Sequence, residues 1–243
     1  MSRSQTPEVS FVIPVYNEPD NIGGTLQCLR DNVKTDHDIL VVYDFDEDTT
    51  LPVVRELQPT MPDVRLVKNE LGRGVLNAMK TGIAAATAPY VIVSMADGSD
   101  DYGVVDAMVK QARSGADVVA ASRYMKGGRQ IGGPRLKGWM SRAAGLSLHY
   151  VGGVATHDAT NNFKLYSGEF LDATTIESEG GFELALELTV KATLAGHRVA
   201  EVPAIWRDRE AGESNFKMRA WLPRYLHWYF ALFAQRAKRL VRS

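Results

Sequence analysis

The strongest constraint on this chain is a rhythm. Short runs rich in β-branched residues, Val9 to Ile13, Ile39 to Tyr43, Val64 to Val67, Tyr90 to Ser94 and Asp117 to Ala121, read as strands. Helical patterns fall between them, at about 21–32, 50–58, 74–86 and 103–114. The strands are almost continuously apolar, as expected when both faces of a sheet are buried, and the βαβ order makes that sheet mostly parallel and covered by helices. The 243 residues hold no internal repeat or low-complexity linker, so the expectation is one α/β domain with an elaborated C-terminal portion.

In such a sheet, ligands bind beyond the carboxyl ends of the strands. Three of those ends are acidic. Pro14-Val15-Tyr16-Asn17-Glu18 follows the first strand, Asp44-Phe45-Asp46-Glu47-Asp48 the second, and Met95-Ala96-Asp97-Gly98-Ser99-Asp100-Asp101 the fourth. Carboxylates gathered at one rim repel one another unless a cation sits among them, and Mg²⁺ or Mn²⁺ commonly bridges carboxylates to substrate phosphates. Asp97 directly follows a buried strand and is the leading metal ligand, with Asp100 and Asp101 as helpers. The plainer reading of these loops is solvated turns, with Asp48 or Thr49 capping a helix. Gly72-Arg73-Gly74 opens another helix, where glycines let the backbone approach an anion; alone it is equally an ordinary turn.

The second half is less regular. A Gly-rich basic loop runs from Lys126 to Lys137, a helix from about Trp139 to Tyr150, and a polar segment from Thr156 to Lys164. Another helix spans about 182–195, and a strand spans Val199 to Trp206. The single cysteine, Cys28, excludes an internal disulfide framework and is expected as a buried structural thiol. A formal net charge of −1 gives no global field for nucleic acid. No apolar stretch is long enough to span a membrane and the N-terminus lacks a signal-peptide pattern, so the expected location is cytoplasmic, at most peripheral on the cytoplasmic face of a membrane. Residues 219–243 form the proposed boundary element beyond a main domain of 1–218. From Lys217 onward there are seven Lys or Arg and no acid, and Trp221, Tyr225, Trp228 (or Tyr229) and Leu232 recur at helical spacing, with Pro223 expected in the first turn. This amphipathic helix lies on an anionic membrane surface or packs on its own domain or a second subunit.

Taken together, the residues resemble a known family. Val12-Ile13-Pro14-Val15-Tyr16-Asn17-Glu18, the acidic loop at 44–48, Gly72-Arg73-Gly74 and Ala96-Asp97 are similar to glycosyltransferase family 2, which has the GT-A fold. Ser122-Arg123-Tyr124, Ser141-Arg142, Asn162-Phe163-Lys164, Arg207-Asp208-Arg209 and Gly212-Glu213-Ser214 resemble its dolichyl-phosphate (polyprenyl-phosphate) hexosyltransferases. The resemblance implies that Pro14, Tyr16, Glu18, Asp44, Asp46, Asp48, Gly72, Arg73, Ala96, Asp97 and Ser214 bind a nucleotide-sugar donor, GDP-mannose or UDP-glucose. It implies Mg²⁺ or Mn²⁺ at Asp97, Ser99 and Asp100. It gives Asp97, Arg123, Arg142 and Arg207 catalytic roles in an inverting hexose transfer, and it places a polyprenyl phosphate acceptor at Arg123, Arg135, Arg142, Asp158, Asn162 and Lys164.

The chain departs from the family pattern at several points. Met95 stands at the first position of the usual Asp-X-Asp, Ser99 where Gln is common, and Asn161-Asn162-Phe163-Lys164 where Ser-Gly-Phe-Arg is usual. A phosphate acceptor is already ionised near pH 7 and needs positioning by arginines rather than a base, whereas a hydroxyl acceptor needs a carboxylate base, for which Asp158 is the candidate. Residues 207–217 have the composition of a lid that closes on the donor. The alternatives are an enzyme of the same fold with a saccharide or soluble acceptor, and a catalytically silent nucleotide-sugar binder.

Overall fold

The computed structural model of the chain describes residues 6–208 and 218–242. In chain order the elements are β1 (Val9–Pro14), α1 (Pro19–Asn32), β2 (His37–Tyr43), α2 (Thr50–Leu57), β3 (Val64–Lys68), α3 (Val75–Ala85), β4 (Tyr90–Val93), α4 (Val105–Arg113) and β5 (Val118–Ser122). They continue with β6 (Arg129–Ile131), α5 (Arg135–Tyr150), β7 (Lys164–Ser167), α6 (Gly168–Asp172), α7 (Leu184–Ala195), β8 (Val199–Pro203), β9 (Ile205–Arg207) and α8 (Met218–Arg242). Seven strands form one sheet in the order β3-β2-β1-β4-β7-β5-β8, and β6 pairs with β9 in a separate ribbon.

Strand alternation divides the core. Phe11, Ile13, Ile39, Val41, Ile92 and Val119 point to one face, where Ile22, Leu26 and Leu29 of α1 and Val105, Met108 and Val109 of α4 cover them. Val12, Leu40, Val42, Val91, Val93 and Val118 point to the other, under α3 and α7. Helix α7 is buried almost all round, which fits a helix sandwiched between the sheet and another helix. That outer helix is α8: Trp228 and Leu232 enter a third cluster with Leu148 of α5 and Leu186 and Val190 of α7.

The five predicted strands and four predicted helices of the first half are all present, each within a few residues of its expected ends. The second half holds the differences. The polar segment at 156–164 leads into β7, an antiparallel strand inserted between β4 and β5, with Ile92 opposite Leu165 and Val119 opposite the same residue. Four residues gave too short a pattern to read beside the polar run that precedes them. The expected strand at 199–206 is broken at Ala204: β8 completes the main sheet, while β9 pairs with β6 inside the basic loop. Cys28 is exposed on α1 rather than buried, because the inward face of that helix is taken by Leu26 and Leu29. Pro223 lies inside α8 and not in its first turn. The Tyr225–Trp228–Leu232 stripe turns inward onto α5 and α7, so it is not a surface for membrane contact. Helix α8 shares an apolar cluster with α5 and α7 of the main body.

One close approach depends on glycine. A Cβ on Gly82 of α3 would lie 2.3 Å from Val12 Cγ1 and 2.9 Å from Val42 Cγ2, so the helix sits down on β1 and β2 only because that position has no side chain. Gly82→Val is expected to cost about 1–3 kcal/mol through overpacking. The urea midpoint should fall with an unchanged m-value, as a loss of stability without a change in exposed surface requires.

Candidate active site

The parallel strands β1, β2, β4 and β5 deliver their carboxyl ends to one rim, and the acidic loops meet there. The first two loops are locked together. Asn17 takes a left-handed conformation (φ 51°), and its backbone N–H points at both carboxylate oxygens of Asp48, each 3.2 Å away. In return Asn17 Oδ1 accepts from the backbone N–H of Thr49 at 3.1 Å, and Glu18 N–H donates to Thr50 Oγ1 at 2.9 Å. Asp48 also accepts from Thr50 N–H at 2.8 Å and is buried, so it fixes the loops rather than meeting a ligand. Its expected donor contact is therefore corrected to a structural one.

Asp44 faces the glycine loop. Its two oxygens accept from Asn69 Nδ2 at 2.6 Å and from the backbone N–H of Gly74 at 2.8 Å. Asn69, buried at the end of β3, also donates to Gly72 O and accepts from Leu71 N–H, which sets the path of Gly72-Arg73-Gly74. Arg73 then lies over the Phe45 ring at 4.8 Å, and Phe45 meets Tyr16 edge-on at 5.6 Å. Tyr16, Phe45 and Arg73 thus form a wall of flat groups beside Asp44, suited to a ring that stacks and offers hydrogen-bond donors. Asp46 is an exposed partner of Lys68 at 2.5 Å. Asn69 and Phe45 were not picked out from sequence; the signal for Asn69 is that it is the first polar residue past the end of its strand.

The third loop carries Asp97. Buried Ala96 gives its carbonyl to Thr25 Oγ1 at 2.9 Å, which holds the backbone just before Asp97. Asp97 Oδ1 accepts from Ser99 N–H at 3.1 Å in a tight turn. Asp100 turns inward, accepting from Ser94 Oγ at 2.8 Å and from Met95 N–H at 3.1 Å. Burial, reinforced by the Asp97 charge, pushes the Asp100 carboxyl up to about 7. Asp101 accepts from Ile205 N–H at 2.9 Å, and Ser99, itself buried, gives its carbonyl to Arg207 N–H at 3.2 Å. These bonds stitch β9 to the loop and bring Arg207 beside it. Of the expected metal ligands, Asp100 is buried and bonded within the loop, Ser99 is buried and bonds through its backbone, and Asp97 is half-buried. Among the described residues no three His, Cys, Asp or Glu side chains form a preformed cage. The donor set still fits Mg²⁺ or Mn²⁺, ions that are commonly held by one or two carboxylates together with substrate phosphates and water.

Across the rim stands a buried ion pair. Arg123, at the end of β5, donates from Nε to Asp158 Oδ2 at 2.7 Å and from Nη2 to Asp158 Oδ1 at 2.9 Å, while its own backbone N–H reaches Oδ2 at 3.0 Å. Nη2 also lies 3.2 Å from Ser141 Oγ on α5. Asp158 is fully buried, and the Arg123 guanidinium overcomes the desolvation to hold its carboxyl below the usual range. This corrects its expected role: a carboxylate committed on both oxygens to a guanidinium, and closed to solvent, is not a general base. Its fork leaves the Nη1 edge of Arg123 turned away from the pair.

Lys164 is likewise corrected. Expected at the acceptor, it is buried under the 158–161 turn and donates to the carbonyls of Ala159 and Asn161. Burial pulls its ammonium down to about 7. Asn162 is half-buried on that turn, and Arg135 and Arg142 are exposed on α5. Ser214 and most of the 207–217 segment lie outside the described residues. A hollow of about 630 Å³, lined by residues such as Pro89, Tyr90, Asp117 and Gly168, sits at the opposite, amino end of the strands and forms no part of this site.

An acidic rim on a mostly parallel sheet, a stacking wall over a glycine loop and an arginine cluster facing them define a GT-A type of transferase. The chain belongs to glycosyl transferase family 2, whose model matches residues 10–174. It is 32% identical over 216 residues to the undecaprenyl-phosphate mannosyltransferase of Micrococcus luteus, covering 85% of this chain and 86% of that one. It is 29% identical over 235 residues to the polyprenol monophosphomannose synthase of Mycolicibacterium smegmatis, covering 89% and 87% respectively. In fold it is similar to a mannosyltransferase from Pyrobaculum calidifontis solved with GDP-Man and Mn²⁺, with a TM-score of 0.67 at 18% identity over 96% of this chain and 65% of that one.

Two outcomes are expected. Asp158→Ala leaves the Arg123 charge buried without a partner and should cost about 3–5 kcal/mol, measured by urea unfolding; the double variant with Arg123→Met should recover part of that loss. Lys164 gives a pH signature. Its folded-state pKa lies near 7, against 10.5 for the free side chain, so between those values the unfolded chain binds the extra proton. Stability should therefore rise with pH across that window and carry the full penalty below it. Lys164→Met should flatten the rise between pH 7 and about 9.

Proposed function

We propose that this chain transfers a hexose, mannose in the first instance, from a nucleotide-diphosphate donor to a polyprenyl phosphate, with inversion at the anomeric carbon. The observation that carries the phosphate acceptor is the state of Asp158. The carboxylate that a hydroxyl acceptor would need as a base is buried and forked to Arg123, whereas an acceptor that is already anionic needs no base and gains from cations. Arg123, held by that fork, and Arg142 on the neighbouring helix supply such cations, and arginine suits bidentate contact with phosphate. The similarity to two bacterial enzymes named for polyprenyl-phosphate mannose transfer supports the same reading.

On the donor side, Tyr16, Phe45 and Arg73 provide the stacking wall and Asp44 the acceptor for a base or ribose donor. Gly72 and Gly74 let the backbone approach, with Pro14 and Glu18 at the adjoining loop. Asp97 would hold Mg²⁺ or Mn²⁺, which when bound stabilises the negative charge of the leaving diphosphate. Arg207, tied to the same loop through Ser99, adds a cation to that charge. In the transfer, the bond from the anomeric carbon to the diphosphate oxygen breaks and the nucleoside diphosphate leaves with the electron pair. An acceptor phosphate oxygen forms the new bond from the opposite face, through an oxocarbenium-like state of the kind known for glycoside chemistry. Among the described residues no helix is long and apolar enough to cross a membrane. A chain that uses a polyprenyl phosphate acceptor would meet it at a bilayer surface, and the cytoplasmic face is the location proposed here.

The test is transfer of radiolabelled mannose from GDP-mannose, with UDP-glucose in parallel, to a polyprenyl phosphate in the presence of Mn²⁺, read as label entering the organic phase. Asp97→Ala is expected to lose about 100-fold or more in kcat, in line with the removal of a group that stabilises developing charge. Label transferred equally well to soluble saccharides, or not released at all from a tightly bound donor, would reject the lipid acceptor or the enzyme reading respectively.

A further inference from the structure

Two segments of this chain are free of acidic residues. From Val118 to His157, and again from Ser214 to Ser243, there is no Asp or Glu, although the whole chain has 29. The same two segments hold 13 of its 28 Lys and Arg. A net charge of −1 thus conceals a strong separation: one part of the molecule is basic and the rest is acidic. The two basic segments contain α5 and α8, which are neighbours. Ser147 Oγ of α5 and Tyr229 OH of α8 are 3.0 Å apart, and Leu148 and Leu232 share one apolar cluster.

Each of these helices also carries apolar side chains on its outer side. On α5, Leu136, Trp139 and Met140 are exposed, Trp139 to 76%. Their i, i+3, i+4 spacing places them on one face, whereas Leu148 further along the helix is buried. On α8, Leu222, Leu226 and Phe230 are exposed, Phe230 to 59%, and repeat every four residues on the side away from Trp228 and Leu232. Most of the large exposed hydrophobic side chains among the described residues fall on these two helices or directly after α5. Apolar groups collected in this way mark an interaction surface rather than scattered surface residues. The buried stripe of α8 explains how the helix stays on the protein. It does not explain the second stripe.

We propose that the outward faces of α5 and α8 together form a docking surface for an anionic phospholipid bilayer. Aromatic and aliphatic side chains amid lysines and arginines, with no carboxylate in either segment, match a negatively charged interface whose interior is apolar. Both helices also border the site: Ser141 of α5 bonds Arg123, and Tyr225 of α8 lies within electrostatic reach of Arg123 and Asp158. A bilayer on this surface lies beside the arginine cluster. The inference gives the lipid-acceptor reading a route of approach, and it is tested without that acceptor.

The experiment is co-sedimentation of the full chain with vesicles of phosphatidylcholine alone and of phosphatidylcholine mixed with phosphatidylglycerol, neither containing polyprenyl phosphate. The expected result is binding to the mixed vesicles only, weakened by added salt as screening requires. Trp139→Ser and Phe230→Ser should each weaken it about tenfold, since each removes one large apolar side chain from the interface. Both positions are exposed, so thermal melts of the variants should match the parent, and mannose transfer to a detergent-solubilised acceptor should be retained. Wild-type protein that stays in the supernatant, or a double variant that sediments like the parent, overturns the proposal. So does light scattering that shows a dimer in the parent and a monomer in the variants, because the patch would then be covered by a second copy. Transfer activity is read separately, so a failed vesicle assay leaves the reaction standing and a failed transfer assay leaves the docking surface standing.

Discussion

The arrangement at the rim depends on one buried ion pair. Arg123 ends a strand that is buried along its whole length, and Asp158 heads a turn that passes under α5. Neither charge is tolerable there alone, since each would have left water without compensation. Paired, they fix three things at once: the end of β5, the 156–161 turn and, through Ser141, the packing of α5. The turn in turn bonds Lys164 and so leads directly into β7. The guanidinium is oriented by a partner that is itself closed to solvent.

The donor side uses the opposite strategy. Its carboxylates are tied mostly to backbone N–H groups: Asp48 to Asn17 and Thr50, Asp44 to Gly74, Asp101 to Ile205. Loops built in this way are rigid without an apolar core of their own. They also carry Asp97, which is only half-buried and bonds the Ser99 N–H, on the same turn as the buried Asp100. Met95 at the usual first acidic position is consistent with that economy. Its backbone N–H serves the buried Asp100, and its side chain adds no charge to a loop where a further carboxylate would repel both neighbours.

The first half of the fold was legible because period and turn chemistry agreed there. Continuous Val/Ile runs, amphipathic helices and acidic strand ends each pointed to the same parallel sheet and the same rim. Asp97, Tyr16, Arg73, Arg123 and Arg207 were all identified as residues of that rim from pattern and family resemblance. What sequence could not separate was a carboxylate left partly open at the rim from one buried to hold the protein. Asp48 and Asp158 look like Asp44 and Asp97 in composition and context. Their roles differ through backbone N–H groups and a guanidinium supplied from elsewhere in the chain, which no local window contains. The same limit applied to α8. Its two apolar stripes are both visible in the residues, but only the position of α7 decides which one is inside.

The antiparallel strand β7 has a consequence for how such a chain is made. It lies between β4 and β5, yet it follows β5 by some forty residues of chain. A ribosome that has released β5 has therefore produced a sheet that cannot yet close, with β4 at an open edge and β5 without its inner neighbour. Exposed strand edges are where chains pair with one another. Most of the intervening segment, up to His157, is basic and free of acidic residues, and like charges of this kind oppose the pairing of nascent copies. The residues that give the finished protein its electrical polarity thus also guard its sheet during the interval before the last inner strand arrives.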